Sequence, residues 1–213
     1  MKEFLDELLL QRMERTAAAL EKNRMEAHLV ATKEEVVPLI RSLLAPGDVV
    51  SVGGSVTLDE CGVLELLRCG DYQFLDRYAP GLTADEIGEI YRKSFFADAY
   101  LCSSNAVTEN GELYNVDGNA NRVAAMTFGP KKVILVVGVN KIVPDLAAAE
   151  RRVQEIAAPA NAKRLSCKTP CAATGKCADC AGDGRICCTA VIHRQQRVPG
   201  RIKVILVGEP LGY

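Results

Sequence analysis

The sequence predicts an α/β fold, a mainly parallel sheet with helices on both faces, in one domain over residues 1–213. Two patterns lead there. Segments with apolar residues at three- and four-residue steps alternate with short β-branched runs, the order that stacked βαβ units around a parallel sheet produce. The composition, 48% hydrophobic and 25% charged over 213 residues, suits an ordinary globular protein with one sizeable core.

Taken in order, residues 1–24 place Phe4, Leu5, Leu8, Leu9, Met13, Thr16 and Leu20 on one helical face. That face is wider than a lone surface helix leaves in water, so the segment is expected to dock on the body, on a partner or on a second copy in a homo-oligomer. Ala27–Val30 reads as a strand, Lys33–Leu44 as a helix, and Asp48–Val52 as a buried strand ending at Gly53 and Gly54. Further strands are expected at Tyr72–Leu75, Ala97–Cys102, Lys132–Val137 and Lys203–Val207, with helices at Ala84–Phe95, Asn121–Met126 and Asp145–Ile156. Glu109, Asn110 and Gly111 read as a hairpin turn, and 117–119 as a loop entering a helix. No internal repeat is visible, and the composition shifts only near Pro159, where a cysteine-rich region begins.

Charge narrows the function classes. The formal net charge is −1, the sequence pI is about 6.2, and there is no basic run, so no electrostatic footprint for nucleic acid or an anionic membrane is present. No apolar stretch approaches the roughly 20 residues of a membrane helix. The first 24 residues mix acids and bases and lack the apolar run of a signal peptide, so a cytoplasmic location is expected.

Six of the nine cysteines fall within residues 167–188. From Cys171 the spacing is C-x5-C-x2-C-x6-C, and its C-x2-C step lets two thiolates reach one metal from a tight turn. Cys171, Cys177, Cys180 and Cys187 are therefore the expected ligands. Gly175, Gly182 and Gly184 bend the loop, and Lys168, Lys176 and Arg185 offset gathered thiolates. A reducing compartment argues against a disulfide framework, and exposed free thiols are a liability. Four thiolates suit a 4Fe–4S cluster or structural zinc equally, so spacing leaves the metal open. Cys61 and Cys69 are expected to be small buried residues, and Cys102 a nucleophile only if a base stands near it.

SVGGSVTLDECG, residues 51–62, runs from a strand through two glycines into a helix, where Gly53, Gly54, Ser55 and Thr57 are placed to hold a phosphate or carboxylate. A capping box between Thr57 and Glu60 is the plain alternative. Asn119, Asn121 and Arg122 are candidate ligands for a small anionic metabolite, and Glu109 a candidate general base, although a Glu109–Arg122 ion pair explains both charges as well. Asn140 and Lys141 follow the strand 132–137, where open α/β sheets bind ligands. His28 and His193 sit in no metal-binding spacing and read as structural.

Together SVGGSVTLDECG, AVTENGELYNVDGNANRVA, FGPKKVILVVGVNKIV and RIKVILVGEPLGY resemble the LUD (lactate utilization) domain family over nearly the whole chain, in its cysteine-bearing form. The resemblance implies a domain similar to the sugar-isomerase/CoA-transferase superfamily. It also implies a part in oxidation of L-lactate or a related small organic acid, an iron–sulfur cluster for electron transfer and an iron–sulfur redox partner subunit. Two readings from other classes stand beside it: a non-catalytic assembly subunit with structural zinc, and a sugar-phosphate or CoA-ester enzyme.

Overall fold

The computed structural model describes residues 2–213, with side chains from Phe4 onward, so Met1 of the expected first helix lies outside the described residues. Six strands make the central sheet: β1 (Glu26–Val30), β2 (Val49–Val52), β3 (Gln73–Leu75), β4 (Ala99–Cys102), β7 (Lys132–Gly138) and β10 (Ile202–Val207). Their order is β1-β10-β7-β4-β2-β3, and every neighbouring pair is parallel. Every strand expected from the sequence is present, within two residues at each end.

The sheet is buried on both faces because its strands carry apolar side chains at successive positions. Along β7, Ile134 and Val136 enter one core while Val133, Leu135 and Val137 enter the other. The first core is closed by α2 (Val36–Leu43), α3 (Val56–Glu60) and α4 (Val63–Leu67), through Val36, Ile40, Leu58, Val63 and Leu66. The second is closed by α1 (Lys2–Lys22), α6 (Asn121–Thr127) and a smaller sheet, through Met13, Leu20, Met126, Val107 and Leu113. The helix α5 (Ala84–Lys93), begun by a Thr83–Glu86 capping box, leads back into β4.

The smaller sheet is an addition to the expected architecture. It joins β8 (Ile142–Val143), β5 (Ala106–Thr108), β6 (Leu113–Asp117) and β9 (Thr189–His193) in that order, with β5–β6 and β6–β9 antiparallel. The β5–β6 turn is the expected hairpin. Its Gly111 has φ +77°, and a Cβ there would stand 2.5 Å from the Ala19 carbonyl carbon, so only glycine lets α1 lie against the turn. Asn23 donates to the carbonyls of Asn110 and Gly111 and ties the end of α1 to the same place.

Two expected helices differ in detail. The face of α1 splits lengthwise: Met13, Thr16 and Leu20 are buried, while Phe4, Leu5 and Leu8 remain 56–67% exposed. The helix expected over Asp145–Ile156 is α7 (Leu146–Arg152), a π-helical turn at Val153–Ala157 and α8 (Ala158–Arg164). Pro159 does not end it, because a proline in the first turn after the π segment has no backbone amide to leave unpaired.

Candidate functional site

The exits of β2 and β4 run to opposite faces of the sheet. β2 leads through Gly53–Ser55 into α3 on one side, and β4 leads through Ser103–Asn105 into the small sheet on the other. Diverging connections between neighbouring strands open a crevice at the carboxyl edge. A cavity of about 530 Å³ lies there, and its lining includes Gly54, Ser55, Thr57, Ser103, Ser104, Asn105, Asn119, Asn121, Arg122 and Lys141. Seven of the nine expected ligand-binding residues therefore line one cavity.

Lys141 is the central group. It is 3% exposed, on a short 3-10 turn after β7, and its Nζ donates to Thr57 Oγ1 at 2.8 Å and Ser103 Oγ at 3.0 Å. Among the described residues no carboxylate forms an ion pair with it. Burial, then the positive charges of Arg152 and Arg122, push its pKa down to about 7, with Glu60 and Cys61 acting weakly the other way. Arg152 is also buried and, among the described residues, bonds to carbonyls, those of Asn140 at 3.1 Å and Asn105 at 2.7 Å. Arg152 behind Lys141 and Arg122 in the cavity wall give the surroundings of the amine a positive potential that favours an anionic ligand.

Arg122 is occupied. Its Nε donates to Asp117 Oδ1 at 2.9 Å, Nη1 to Asn115 Oδ1 at 2.6 Å and the Ser103 carbonyl at 3.0 Å, and Nη2 to Asn105 Oδ1 at 2.9 Å and the Val116 carbonyl at 3.0 Å. Asp117 pairs with it and also accepts from the Val123 amide at the start of α6. The arginine therefore clamps the β4 exit, β6 and α6 together, and it reaches the cavity as wall and as positive charge. Its stem explains Gly53, whose Cβ would stand 3.0 Å from Arg122 Cδ.

Glu109 is not brought to the cavity, and it does not pair with Arg122. It accepts from Arg12 Nε at 2.8 Å, with Arg15 3.6 Å away, on the side of the small sheet that holds α1. The Thr57–Glu60 capping box is also absent. Ser55 caps α3 by accepting from the Leu58 amide, and Glu60 accepts from the Gly212 amide at 2.7 Å. Asn140 serves the same chain end, exchanging hydrogen bonds with the Leu211 amide and the carbonyls of Leu211 and Gly212.

The cysteine loop forms another wall, through Asp183, Arg185, Ile186, Cys187 and Cys188. Arg185 donates to the carbonyls of Cys187 at 2.9 Å and Cys180 at 2.5 Å and pairs with Asp179, which draws both ends of the loop together. Cys187 has its pKa raised, first by burial, and Cys177, Cys180 and Cys171 all lie near enough to add to the rise. The four thiols thus share one neighbourhood, all free and all half-buried. Among the described residues no three metal-binding side chains stand close enough to share one ion. In donor type the four suit a cluster or zinc.

Cys102 is fully buried with its pKa pushed up to about 12, which makes it a core thiol rather than a nucleophile. Cys61 is buried as expected, whereas Cys69 is exposed and donates to Asp71. His193, buried beside Thr127 with its pKa pushed down to about 4, is neutral and structural. Sequence reasoning missed Arg77, Arg152, Asn161, Arg164 and Tyr213. Arg77 stacks between the rings of Tyr78 and Tyr91 at the rim, and Arg164 bonds to Asn161 and Tyr213 there. Ser103 and Ser104 were findable by the rule that marked Lys141, since they follow a strand.

A family model described as LUD domain matches residues 13–207. A DUF162 family protein from Deinococcus radiodurans has a similar crystal structure, at 18% identity and a TM-score of 0.50, covering 95% of this chain and 98% of that one. Structures of eIF2B delta and eIF2B beta from Chaetomium thermophilum match at 18% and 17% identity and TM-scores of 0.36 and 0.37, over 55% and 53% of this chain and 50% and 43% of theirs. Among curated proteins no sequence match was found.

Proposed function

Because this chain belongs to the LUD domain family, we propose that it is a lactate-utilization-type protein. It binds L-lactate or a related small organic acid in the cavity and carries a 4Fe–4S cluster on Cys171, Cys177, Cys180 and Cys187. One observation carries the reading: Cys187 lines the same cavity as Lys141, so a metal centre on the loop would border the bound acid. When bound, the cluster supplies one-electron transfer, and an iron–sulfur redox partner subunit takes the electrons onward.

The chain's own residues do the rest. Arg152 and Arg122 draw in the carboxylate by charge, and the Thr57 and Ser103 hydroxyls orient the Lys141 amine. Oxidation of a 2-hydroxy acid to a 2-oxo acid removes two electrons and two protons, one from the hydroxyl and one from Cα; the electrons leave one at a time to the redox partner and the Cα proton passes to water. The Lys141 amine, poised near neutrality, accepts the hydroxyl proton in the role the sequence had suggested for Glu109.

Anaerobic purification with metal and acid-labile sulfide analysis, followed by calorimetric titration with L-lactate, tests the reading. Iron with sulfide and saturable lactate binding are expected. Stoichiometric zinc without sulfide overturns the redox half in favour of an assembly subunit. The volume of the cavity favours one second reading, a sugar-phosphate or CoA-ester ligand, because about 530 Å³ greatly exceeds what lactate fills. Retention of a phosphate-bearing compound through purification selects it.

A further inference from the structure

The floor of the cavity combines an amine, two hydroxyls and a positive field in an arrangement that binding alone does not require. Among the described residues Lys141 Nζ is held by two oxygen partners, the hydroxyls of Thr57 and Ser103. A neutral amine that donates both hydrogens has one tetrahedral direction left, and that direction carries its lone pair. No carboxylate pairs with the amine among the described residues, and Arg152 and Arg122 oppose the ammonium form. Gly212, at φ +56°, passes so close that a Cβ on it would stand 2.6 Å from Thr57 Oγ1 and 3.3 Å from Lys141 Nζ. The glycine keeps a side chain out of the space beside the amine.

We propose that Lys141 is a nucleophile that condenses with the carbonyl of a 2-oxo acid bound in the cavity, forming an imine and releasing water. The inference rests on the reading of the cavity as a site for a small organic acid. The nitrogen lone pair forms the new C–N bond, and the carbonyl π pair moves to oxygen, which takes a proton. That oxygen then leaves as water while nitrogen loses its two hydrogens, so no oxidant or reductant enters the step. Ser103 and Thr57 are the groups within reach to pass the protons. A buried amine displaced toward neutrality by its surroundings is the form that reacts at physiological pH, where exposed lysines are protonated.

The test uses the full chain, pyruvate and sodium cyanoborohydride, which reduces an imine to a stable amine. One adduct of about 72 Da is expected, mapped to Lys141 by peptide mass and still forming near pH 7, where exposed lysines label slowly. Lys141→Arg removes it. Should that variant fold poorly, Ser103→Ala with Thr57→Val keeps the lysine and slows labelling at least about tenfold through lost proton relay and orientation. Labelling spread over exposed lysines and indifferent to both variants overturns the proposal. An absent adduct with calorimetrically detected pyruvate binding overturns the nucleophile and leaves the organic-acid site standing. An absent adduct without pyruvate binding overturns both.

Discussion

Replacing Lys141 by methionine removes the one titrating amine of the cavity floor while keeping most of its stem volume. Folded, the amine loses its proton near pH 7; unfolded, near its ordinary 10.5. Between those values the unfolded chain binds the extra proton, so the wild-type protein gains stability as pH rises, by about 1.4 kcal/mol per unit. Below pH 7 both states are protonated, and the full cost of a buried ammonium is present and constant. Urea unfolding of both proteins, with thiols kept reduced, measures the difference in stability at each pH. Other titrating groups cancel in that difference. It should stay flat from pH 5.5 to 6.5 and then move in favour of wild type by about 2–3 kcal/mol between pH 7 and 9. Parallel pH profiles would refute the buried, unpaired amine and the nucleophile built on it.

Arg122→Met should destabilise by about 3–5 kcal/mol in urea unfolding, because Asp117, 10% exposed, keeps a buried charge without its partner. Arg122→Lys keeps the charge and loses the planar fork, so lactate affinity and stability should fall together; unchanged values for both would remove the clamp. Gly111→Ala should cost about 2–4 kcal/mol, since φ +77° and a 2.5 Å approach to Ala19 both resist a methyl group, and hydrogen exchange in the second half of α1 should quicken. Serine at Cys171, Cys177, Cys180 or Cys187 should strongly reduce bound iron, whereas serine at Cys69 should leave it unchanged; full metal retention in all four variants would sink the site.

Much of this molecule was readable along the chain. Val133–Val137 and Val204–Val207 are apolar at every position because a strand between two cores needs both faces apolar, and that pattern survives in one dimension. Gly54 and Lys141 follow strands and line the cavity, as the rule that crevices open at carboxyl edges suggests, whereas Gly53 packs on the Arg122 stem and Asn140 holds the Leu211–Gly212 backbone. The small sheet was not, since β8 is two residues long and β9 lies far along the chain from its partner β6. Strands that short draw their stability from pairing across the fold rather than from local propensity.

Side-chain partnership was the least legible. Sequence proximity suggested Glu109 for Arg122, but the hairpin turns Glu109 toward Arg12 and leaves Arg122 to Asp117 and two asparagines. Arg152 carried no signal in the sequence, and α7 buries it near Lys141. By itself the sequence determined the α/β alternation, the turn residues and the clustering of cysteines, because those follow from local backbone preference and hydrophobic period. Only the tertiary structure decided which charges lose their water together. Desolvation and pairing depend on distances between residues far apart in the chain, and so the Lys141 amine loses its water and faces Arg152 and Arg122 only once the sheet has closed.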